Sequence, residues 1–423
     1  MKFIVEKSSL SGAVEIPASK SHTVRAAIFA TLAKGESHVL EPLDSLDAQA
    51  AVNAGRAFGG RFEQQPGQWL VDGMGGQLAA PENVVDVLNS GTTLYIAMGV
   101  AALIDGYTVL TGDEQIRRRP ANHLTAALRD LGAEIFSTRG NDRCPLVVRG
   151  PLRGGRTTIE ALTSQWVTSV LISAPLATGD TELTVTKLNE QPYVRMTLDW
   201  LDFLGIRYEE ENLERFHVPG GQAYSAFTRR IPGDFSSATF FLAAGAALDA
   251  RLELRGLDMN DSQGDKAVVD FLRGMGAKID VDEERLLVER QALNGAELDL
   301  NATPDALPAL AVAGALGEGE TRLVNVPQAR VKETDRITVM AAELSKMGAK
   351  ITELPDGLVI QGGRLNGAKV HGHDDHRVVM ALTVAGLSAE GITEIDTAES
   401  VAVTFPNFVE LMQSVGARIR VEE

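Results

Sequence analysis

The segment MGAKI at residues 275–279 closes an amphipathic run, and the same pattern of hydrophobic residue, Gly, two further residues and hydrophobic residue occurs six times. The six glycines lie 68 to 73 residues apart, at Gly59, Gly132, Gly205, Gly276, Gly348 and Gly416. Chance rarely places six such segments at so even a spacing, so the chain is predicted to repeat itself six times.

Each repeat is predicted to contain two helices and a pair of strands. The glycine marks the end of one helix, since Gly adopts the left-handed conformation at little cost, and the residues after it favour a strand. A second helix begins where small polar residues precede an apolar run. The positions that mark these starts lie 69 to 73 residues apart and are Ser21, Gly91, Ser164, Ser236, Asp305 and Asp375.

The repeats indicate two domains of three α/β units each. The 423 residues are about three times a typical ~150-residue domain, and six units are too large for one core. The third and fourth units meet near residues 229–233 (RRIPG), and the strand-like segment 2–16 is expected to return to the C-terminal half. The expected domains are therefore residues 18–231, and residues 1–17 together with 232–423.

The composition excludes several classes of protein. Apolar residues make up 44% and charged residues 23%, which is typical of globular proteins rather than disordered chains or fibres. The net charge of −17 argues against nucleic acid or an anionic membrane as the main partner. The single cysteine, Cys144, permits neither an intrachain disulfide nor a Cys-based metal site. Without a secretory signal or an apolar run of ~18 residues, we expect a cytoplasmic protein. A monomer is also expected.

Basic residues nevertheless cluster at a few places in this acidic chain. They are Lys20, Arg25, the run at residues 117–119 (RRR), Lys332, Arg336 and Arg377. A small, strongly anionic ligand would reconcile these clusters with the acidic total. Six helix N-termini in two groups of three would add partial positive charge, although plain helix capping explains any one of them equally well.

Two local expectations concern these clusters. Pro120 is expected at the first position of a helix. Glu333 and Arg336, at positions i and i+3, are expected to share a helix face, either as a surface ion pair or as part of a site. Residues 371–376 (HGHDDH) could be read as a metal site, but the adjacent Arg377 would oppose a cation, so no metal is expected.

Taken in order, these segments resemble the EPSP synthases within the enolpyruvyl transferase family. The most specific are KETDR at 332–336 and DHR at 375–377. The other matching segments are PASKS at 17–21 with Arg25, NSGT at 89–92, RP at 119–120, SQ at 164–165, PY at 192–193, GDFSS at 233–237 and PD at 304–305. The resemblance spans nearly the whole chain.

The resemblance implies both a fold and a reaction. The implied fold is α/β (α+β), with two domains of three βαβαββ-type units, each an inside-out α/β barrel, that close on an active site in the cleft between them. In the reaction, the 5-hydroxyl of shikimate 3-phosphate attacks C2 of phosphoenolpyruvate while C3 is protonated, and the tetrahedral intermediate loses phosphate. This step belongs to the shikimate pathway to chorismate and the aromatic amino acids. No metal or organic cofactor is expected.

The resemblance also implies a role for individual residues. The expected catalytic residues are Asp305 and Glu333, as an acid–base pair, and Lys20. The residues expected to bind phosphoenolpyruvate are Lys20, Arg119, Arg336 and Arg377, helped by Asn89, Gly91 and Gln165. The residues expected to bind the shikimate partner are Ser21, Arg25, Thr163, Ser164, Tyr193, Asp305 and Lys332, with Gln328 nearby. Two polyanions must be desolvated together, which requires several fixed cations.

Four positions depart from the family's pattern. Val403 and Tyr95 stand where the family has Lys and Arg, and the loss of two cations weakens the case for ordinary phosphoenolpyruvate binding. Glu190 stands where a Ser touches the 3-phosphate, and its carboxylate would repel a phosphate there. Gln328 replaces an Asn, which is a mild change.

Three alternatives stay open. One is a paralogue that transfers to, or eliminates from, a different cyclic alcohol, including an unphosphorylated one. Another is the sister enzyme that modifies UDP-N-acetylglucosamine; it usually has Cys where this chain has Glu114, although some members use Asp, and the KETDR segment argues against it. The third is a non-catalytic ring or scaffold of repeats, such as a sliding clamp. The expected acid–base carboxylates and anion-binding cations argue against a non-catalytic protein, since the chain has all of Asp305, Glu333, Lys20 and Arg119.

Overall fold

The computed structural model describes residues 1–282 and 285–423 and divides the chain into two compact units. The N-terminal unit is Lys20–Ile231. The C-terminal unit combines Met1–Ser19 with Pro232–Glu423, so that the chain passes from one unit to the other twice.

The strands are short and numerous. Those before residue 232 are β1 (Lys2–Glu6), β2 (Leu10–Glu15), β3 (Lys34–Leu40), β4 (Arg61–Gln65), β5 (Gln68–Met74), β6 (Val85–Asp86), β7 (Tyr107–Thr111), β8 (Glu134–Ser137), β9 (Leu146–Arg149), β10 (Gly155–Ala161), β11 (Thr181–Leu188), β12 (Glu209–Glu211), β13 (Arg215–Val218) and β14 (Thr228–Arg230). Those after it are β15 (Ala250–Arg255), β16 (Lys278–Val281), β17 (Arg285–Glu289), β18 (Glu297–Asp299), β19 (Glu320–Val324), β20 (Lys350–Leu354), β21 (Gly357–Gln361), β22 (Lys369–Val370), β23 (Ile392–Ile395) and β24 (Arg418–Glu422).

The helices alternate between two kinds along the chain. The inner helices are buried on nearly all sides and are α1 (Lys20–Leu32), α3 (Gly91–Ala101), α5 (Ser164–Ser173), α7 (Phe235–Ala247), α9 (Leu307–Leu316) and α11 (His376–Ser388). The outer helices are buried on one side and are α2 (Leu46–Ala57), α4 (Asn122–Asp130), α6 (Gln191–Phe203), α8 (Ala267–Gly274), α10 (Arg336–Lys346) and α12 (Phe408–Ser414).

The described residues form six four-stranded sheets that share one topology, a parallel pair followed by two antiparallel neighbours. In the N-terminal unit the orders are β14-β3-β5-β4, β6-β7-β9-β8 and β10-β11-β13-β12. In the C-terminal unit they are β16-β17-β15-β2, β18-β19-β21-β20 and β22-β23-β1-β24. The predicted mixed α/β fold of six repeats is confirmed.

Two strands are exchanged where the chain passes between units. In sequence order, β2 precedes α1 and β14 precedes α7. In the structure β14 instead pairs in parallel with β3, and β2 pairs in parallel with β15. The strand β1 lies between β23 and β24, antiparallel to both. The first and last strands of the chain therefore belong to one sheet.

The inner helices lie in the core of each unit, where other helices and sheets cover them on nearly all sides. All eleven residues of α3 are buried, and α7, α9 and α11 pack on one another. At Gly99 in α3, a Cβ atom would lie 2.6 Å from the Ser169 backbone oxygen of α5. Glycine is required there because the two helices approach so closely.

The six repeat glycines follow the outer helices as predicted. Each has a positive φ angle, from 69° at Gly205 to 106° at Gly59 and Gly416. A strand follows each of them within five residues, namely β4, β8, β12, β16, β20 and β24. The predicted helix ends and the strands after them are confirmed.

The expectation for Pro120 is wrong. Residues Ile116–Arg118 form a 3-10 turn and α4 begins only at Asn122, with Ala121 as its N-cap. Ala121 has φ −133° and ψ 10°, outside the helical region, and its N–H donates to the Asp142 backbone oxygen at 3.0 Å, so the helix starts only after it. Separately, no helix among the described residues has both the length and the apolar character needed to span a bilayer.

Two glycines near the end of α8 provide a test of the repeat's glycine position. Gly276 has φ +102°, and a Cβ atom there would lie 3.2 Å from the Ala292 backbone oxygen. We expect Gly276→Ala to lower the free energy of unfolding by about 1–2 kcal/mol, because an L-residue strains in this conformation. Urea unfolding followed by circular dichroism measures the change.

The matched control is Gly274→Ala, two residues earlier. Gly274 is the last residue of α8, and nothing lies within 4 Å of the added Cβ. The same substitution there should raise the free energy of unfolding by about 0.5–1 kcal/mol, because Ala loses less backbone entropy than Gly in a helix. Changes of the same sign at both positions would contradict the assignment.

Candidate active site

Most of the predicted site residues lie at or near the N-termini of helices, in two groups, one in each unit. In the N-terminal unit, the starts of α1, α3 and α5 carry Lys20 with Ser21, Asn89 with Gly91, and Thr163 with Ser164 and Gln165. In the C-terminal unit, the starts of α9, α10 and α11 carry Asp305, Glu333 with Arg336, and Arg377.

Arg25 in the N-terminal unit is a buried cation among neutral partners. Its Nε donates to Thr197 Oγ1 at 3.0 Å, and its Nη2 donates to the Tyr193 backbone oxygen at 2.9 Å. Its Nη1 donates to the Ser21 backbone oxygen at 3.1 Å. Burial lowers the pKa of Arg25 to about 10, although Tyr193 acts in the opposite direction. The guanidinium is therefore charged at neutral pH and connects α1 to α6.

Arg119 lies against the N-terminus of α3. A Cβ atom added to Gly91 would lie 2.1 Å from Arg119 Nη1, so only glycine admits the guanidinium at this place. Ser90 caps the helix, with its Oγ accepting from the Thr93 N–H at 3.3 Å. The guanidinium and the positive end of α3 thus lie side by side, an arrangement that favours an anion.

Polar side chains join this group across helices. Asn89 Nδ2 donates to Asp113 Oδ2 at 2.5 Å and to Gln115 Oε1 at 2.7 Å. Gln165 Nε2 donates to Thr92 Oγ1 at 3.0 Å, which links α5 to α3. Lys20 forms an ion pair with the buried Asp47 at 3.2 Å. The sequence analysis did not select Asp47, whose position inside α2 resembles that of any first-turn acid.

Glu190 is buried at the N-terminus of α5, with 2% of the residue exposed. Its Oε2 accepts from the Ser164 N–H at 3.1 Å and from Ser164 Oγ at 2.8 Å, and Thr163 Oγ1 lies 3.0 Å away. Glu190 has φ +59° and directly precedes α6 as its N-cap. A carboxylate therefore occupies the helix start where the sequence analysis expected repulsion of a phosphate. Arg195 pairs instead with Glu210 at 2.8 Å.

Arg336 is the centre of the second group, with only 1% of the residue exposed. Its Nε and Nη2 donate to the two oxygens of Asp375 at 2.8 and 3.1 Å. Its Nη1 donates to Asp305 Oδ1 at 2.8 Å, and its Nη2 also donates to Glu333 Oε2 at 2.6 Å. Burial lowers the pKa of Arg336, but the facing carboxylates of Asp375, Glu333 and Asp305 raise it by more than burial lowers it. The pKa therefore lies above its ordinary value.

Arg377 completes what we call the arginine cluster, which comprises Asp305, Glu333, Arg336, Asp375 and Arg377. Its Nη2 lies 3.0 Å from Asp305 Oδ2, so the Asp305 carboxylate bridges two guanidinium groups. Asp375 also caps α11, since its Oδ1 accepts from the Arg377 N–H at 2.9 Å. Glu333 and Arg336 do form an ion pair, which is buried rather than on the surface, but the expectation of a shared helix face is wrong, because Glu333 precedes α10.

Asp375 was predicted only as a helix start, and its ion pair with Arg336 was missed. The signal lay in the sequence, because Asp375 is part of the DHR segment at 375–377. A side chain that caps a helix and binds a buried arginine cannot be told from a plain cap by its position alone. Thr334 was also missed, and its Oγ1 donates to Asp375 Oδ2 at 3.1 Å.

The departures from the family's pattern are buried. Tyr95 packs edge-on against Trp166, and its hydroxyl donates to the Pro120 backbone oxygen at 2.8 Å. Burial raises the pKa of Tyr95 to about 12, although Arg119 acts in the opposite direction. Val403 is buried at the end of the 3-10 turn Ala398–Val403. Gln328 is buried and its amide donates to the Asn301 backbone oxygen at 2.9 Å, while Lys332 is half-buried.

Two histidines that precede α11 contact carboxylates. His371 Nδ1 lies 2.6 Å from Asp396 Oδ1, and His373 Nε2 lies 3.0 Å from Glu343 Oε1. Within residues 1–282 and 285–423, no group of three or more His, Cys, Asp or Glu side chains is arranged to bind a metal ion.

Known proteins share these segments along the whole chain. The sequence pattern of EPSP synthase (3-phosphoshikimate 1-carboxyvinyltransferase) matches residues 4–412. The chain belongs to the EPSP synthase family. It is 55% identical to the 3-phosphoshikimate 1-carboxyvinyltransferase of Acetivibrio thermocellus and 52% identical to that of Ruminiclostridium cellulolyticum. Both matches run over 415 residues and cover 98% of each chain, so the resemblance seen in the motifs is confirmed.

Solved structures agree with this assignment. An EPSP synthase from Acinetobacter baumannii superposes with a TM-score of 0.85 at 28% identity, over 100% of both chains. The enolpyruvyl transferase NikO from Streptomyces tendae gives a TM-score of 0.79 at 19% identity, over 99% of this chain and 98% of the other. The second likeness concerns the fold alone.

The histidine of the DHR segment provides a test of whether water is excluded from the neighbourhood of the arginine cluster. His376 is buried, and its ring nitrogens have no hydrogen-bond partner in the described part of the chain. Burial, helped by Arg377, lowers the pKa of His376 to about 3. Between about pH 6.5 and pH 3 the unfolded chain binds a proton that the folded chain does not. The free energy of unfolding should therefore fall by up to about 1.4 kcal/mol per pH unit as the pH is lowered through this range.

Urea unfolding of the wild type and of His376→Gln across this pH range measures the difference between their slopes. We expect the variant to lack this part of the pH dependence. His217→Gln is the control, because His217 is 39% exposed, and it should keep the wild-type slope. Equal slopes for the wild type and His376→Gln would show that the ring is hydrated.

Proposed function

We propose that the chain transfers the enolpyruvyl group from phosphoenolpyruvate to the 5-hydroxyl of shikimate 3-phosphate and releases phosphate. The observation that carries the proposal is the arginine cluster, in which both carboxylates of the expected acid–base pair contact buried guanidinium groups. Membership of the EPSP synthase family supports it, and the shared name of the relatives argues against the paralogue, the UDP-sugar enzyme and the scaffold.

Asp305 and Glu333 would move the two protons of the reaction. The acceptor oxygen bonds to C2 of phosphoenolpyruvate as its proton passes to Asp305, and C3 takes a proton from Glu333. Collapse of the tetrahedral intermediate breaks the C2–O bond to phosphate and returns a C3 proton to Glu333, while Asp305 passes the acceptor's proton to the departing phosphate. Contacts with Arg336 and Arg377 fix the positions of both carboxyl groups, which general acid–base catalysis requires.

The charges of the arginine cluster indicate that further cations take part. Three carboxylates and two guanidinium groups leave one net negative charge, and the neighbouring Lys332 only neutralises it. Two polyanionic substrates need more positive charge than this. We propose that Lys20 and Arg119 of the N-terminal unit supply it, so that catalysis needs both units.

The remaining predicted residues would select the substrates. Arg119 and the N-terminus of α3 would bind an anionic group of phosphoenolpyruvate. Asn89 and Gln165 would contribute polar contacts there. Ser21, Arg25 and Tyr193 lie together at the start of α1 and the first turn of α6, and Thr163 with Ser164 begins α5. We propose that this second set binds the shikimate partner, together with Lys332 and Gln328.

Removing the acid–base carboxylates tests the proposed chemistry. We expect Glu333→Gln and Asp305→Asn to lower kcat by about 10²–10⁴-fold, the usual contribution of a positioned proton donor or acceptor. Phosphate release with phosphoenolpyruvate and shikimate 3-phosphate measures the rate. Glu297→Gln is the control, since Glu297 is 64% exposed and pairs with Arg322 on the surface of the same unit. Full activity in both site variants would overturn the assignment.

The contact between Gly91 and Arg119 provides a separate test of anion binding. The Cβ of Gly91→Ala would push the far end of the flexible Arg119 side chain, so we expect little change in stability. A displaced guanidinium should raise the KM for phosphoenolpyruvate by about ten- to a hundredfold. In Gly99→Ala of the same helix the added Cβ meets backbone, so that variant should lose stability instead. An unchanged KM in a folded Gly91→Ala variant would exclude Arg119 from the site.

A further inference from the structure

Glu190 poses a conflict with the proposed function. Thr163 and Ser164 are proposed to bind the acceptor, yet their donors converge on one oxygen of the Glu190 carboxylate. The Ser164 N–H and hydroxyl both point at Oε2, and the single Thr163 proton is shared between Oε2 and Gln165 Oε1, at 3.0 and 2.9 Å. In this arrangement an incoming anion would find the donors already engaged.

The start of α5 is a site that attracts negative charge. A helix N-terminus carries partial positive charge, and an anion there also satisfies backbone N–H groups that lack partners within the helix. Here the anion at the N-terminus of α5 is the Glu190 carboxylate of the same protein. A carboxylate and a phosphate cannot share these donors, because like charges in contact repel strongly.

We propose that Glu190 is a specificity-determining residue that competes, as an internal anion, with the phosphate of the acceptor for the N-terminus of α5. The inference rests on the proposed function, since it requires a phosphorylated acceptor. The acceptor's phosphate binds Thr163 and Ser164 only when the Glu190 side chain leaves them. Part of the binding energy of the acceptor is used to displace the carboxylate, so its affinity is lower than the site would otherwise provide.

The place of Glu190 in the fold connects this exchange to the rest of the acceptor site. Glu190 stands between β11 and α6, and its backbone oxygen accepts from the Tyr193 N–H at 3.1 Å. Tyr193 in turn accepts from buried Arg25 through its backbone oxygen. Movement of Glu190 therefore reaches the first turn of α6, where the other acceptor-binding residues lie.

The test is the binding of shikimate 3-phosphate and of unphosphorylated shikimate to the free enzyme, measured by titration calorimetry. Glu190→Ser removes the carboxylate, and Glu190→Gln keeps its shape but removes its charge. We expect both variants to bind shikimate 3-phosphate about tenfold or more tightly than the wild type, because a like charge no longer opposes the phosphate. Binding of shikimate should change by no more than about twofold, since a neutral group meets no such repulsion.

Glu182→Gln is the matched control for a general loss of negative charge. Glu182 lies in the same unit, 53% exposed in an ion pair with Arg156, and its removal should leave the affinity for both ligands unchanged. Thermal unfolding verifies that every variant is folded, and Glu190→Gln, close in shape to the native side chain, serves if Glu190→Ser does not fold. Inorganic phosphate, used as a competitor of shikimate 3-phosphate, should inhibit the Glu190 variants more strongly than the wild type.

Two results would overturn the inference. Weaker or unchanged binding of shikimate 3-phosphate in a folded Glu190 variant would make Glu190 a residue that positions Thr163 and Ser164. A complex with shikimate 3-phosphate in which Glu190 Oε2 still accepts from Ser164 would exclude displacement. The proposed function fails separately, if the wild type releases no phosphate from phosphoenolpyruvate and shikimate 3-phosphate together.

Discussion

A buried guanidinium group needs partners that replace water, and in the C-terminal unit carboxylates around Arg336 are those partners. Burying a charge is costly unless ion pairs and hydrogen bonds compensate it. Arg336 uses four of its five N–H groups on three carboxylates, which come from the starts of α9, α10 and α11. The three helix starts are therefore fixed relative to one another by a single side chain, and the acid–base carboxylates are placed by the same contacts.

The N-terminal unit keeps its buried cation in a different way. Arg25 is surrounded by hydroxyl and backbone oxygens, and burial lowers its pKa, whereas the carboxylates around Arg336 raise the pKa of that side chain. A cation with only neutral neighbours leaves an excess of positive charge, and one with three carboxylates does not. The acidic total charge of the chain thus says little about the local potential, which burial and immediate neighbours determine.

The repeats could be predicted from the sequence because the backbone conformation at helix ends restricts which residues can stand there. Gly276 and its five counterparts must take a positive φ angle, and the capping residues before the inner helices follow from the same kind of backbone requirement. The sequence led us to expect segment 2–16 in the C-terminal half, but the partner strands of β2 and β14 could not be read from it, since equivalent strands compete for equivalent partners. Pro120 was misplaced because a contact with Asp142, distant in sequence, delays the helix.

The candidate site was predicted in composition but not in connectivity. Segment matches selected Asp305, Glu333, Arg336 and Arg377, while the pairing of these residues with one another and with Asp375 depends on how three helix starts meet in space. Glu190 was recognised as unusual from its charge alone. Its hydrogen bonds to Ser164 follow from a left-handed backbone at the start of α6, and no pattern in the sequence specifies which way such a side chain turns.

The placement of β1 between β23 and β24 bears on the order in which the protein can assemble during translation. The N-terminal unit is one continuous stretch and has all its strands once Arg230 has left the ribosome. The segment containing β1 and β2 is made earlier, yet the neighbours of β1 are made last. Both edges of β1 therefore stay unpaired during synthesis of the whole N-terminal unit and most of the C-terminal unit. The polar side chains at its ends, Lys2 and Glu6, are suited to that interval, because charged residues on an unpaired strand discourage association with other chains.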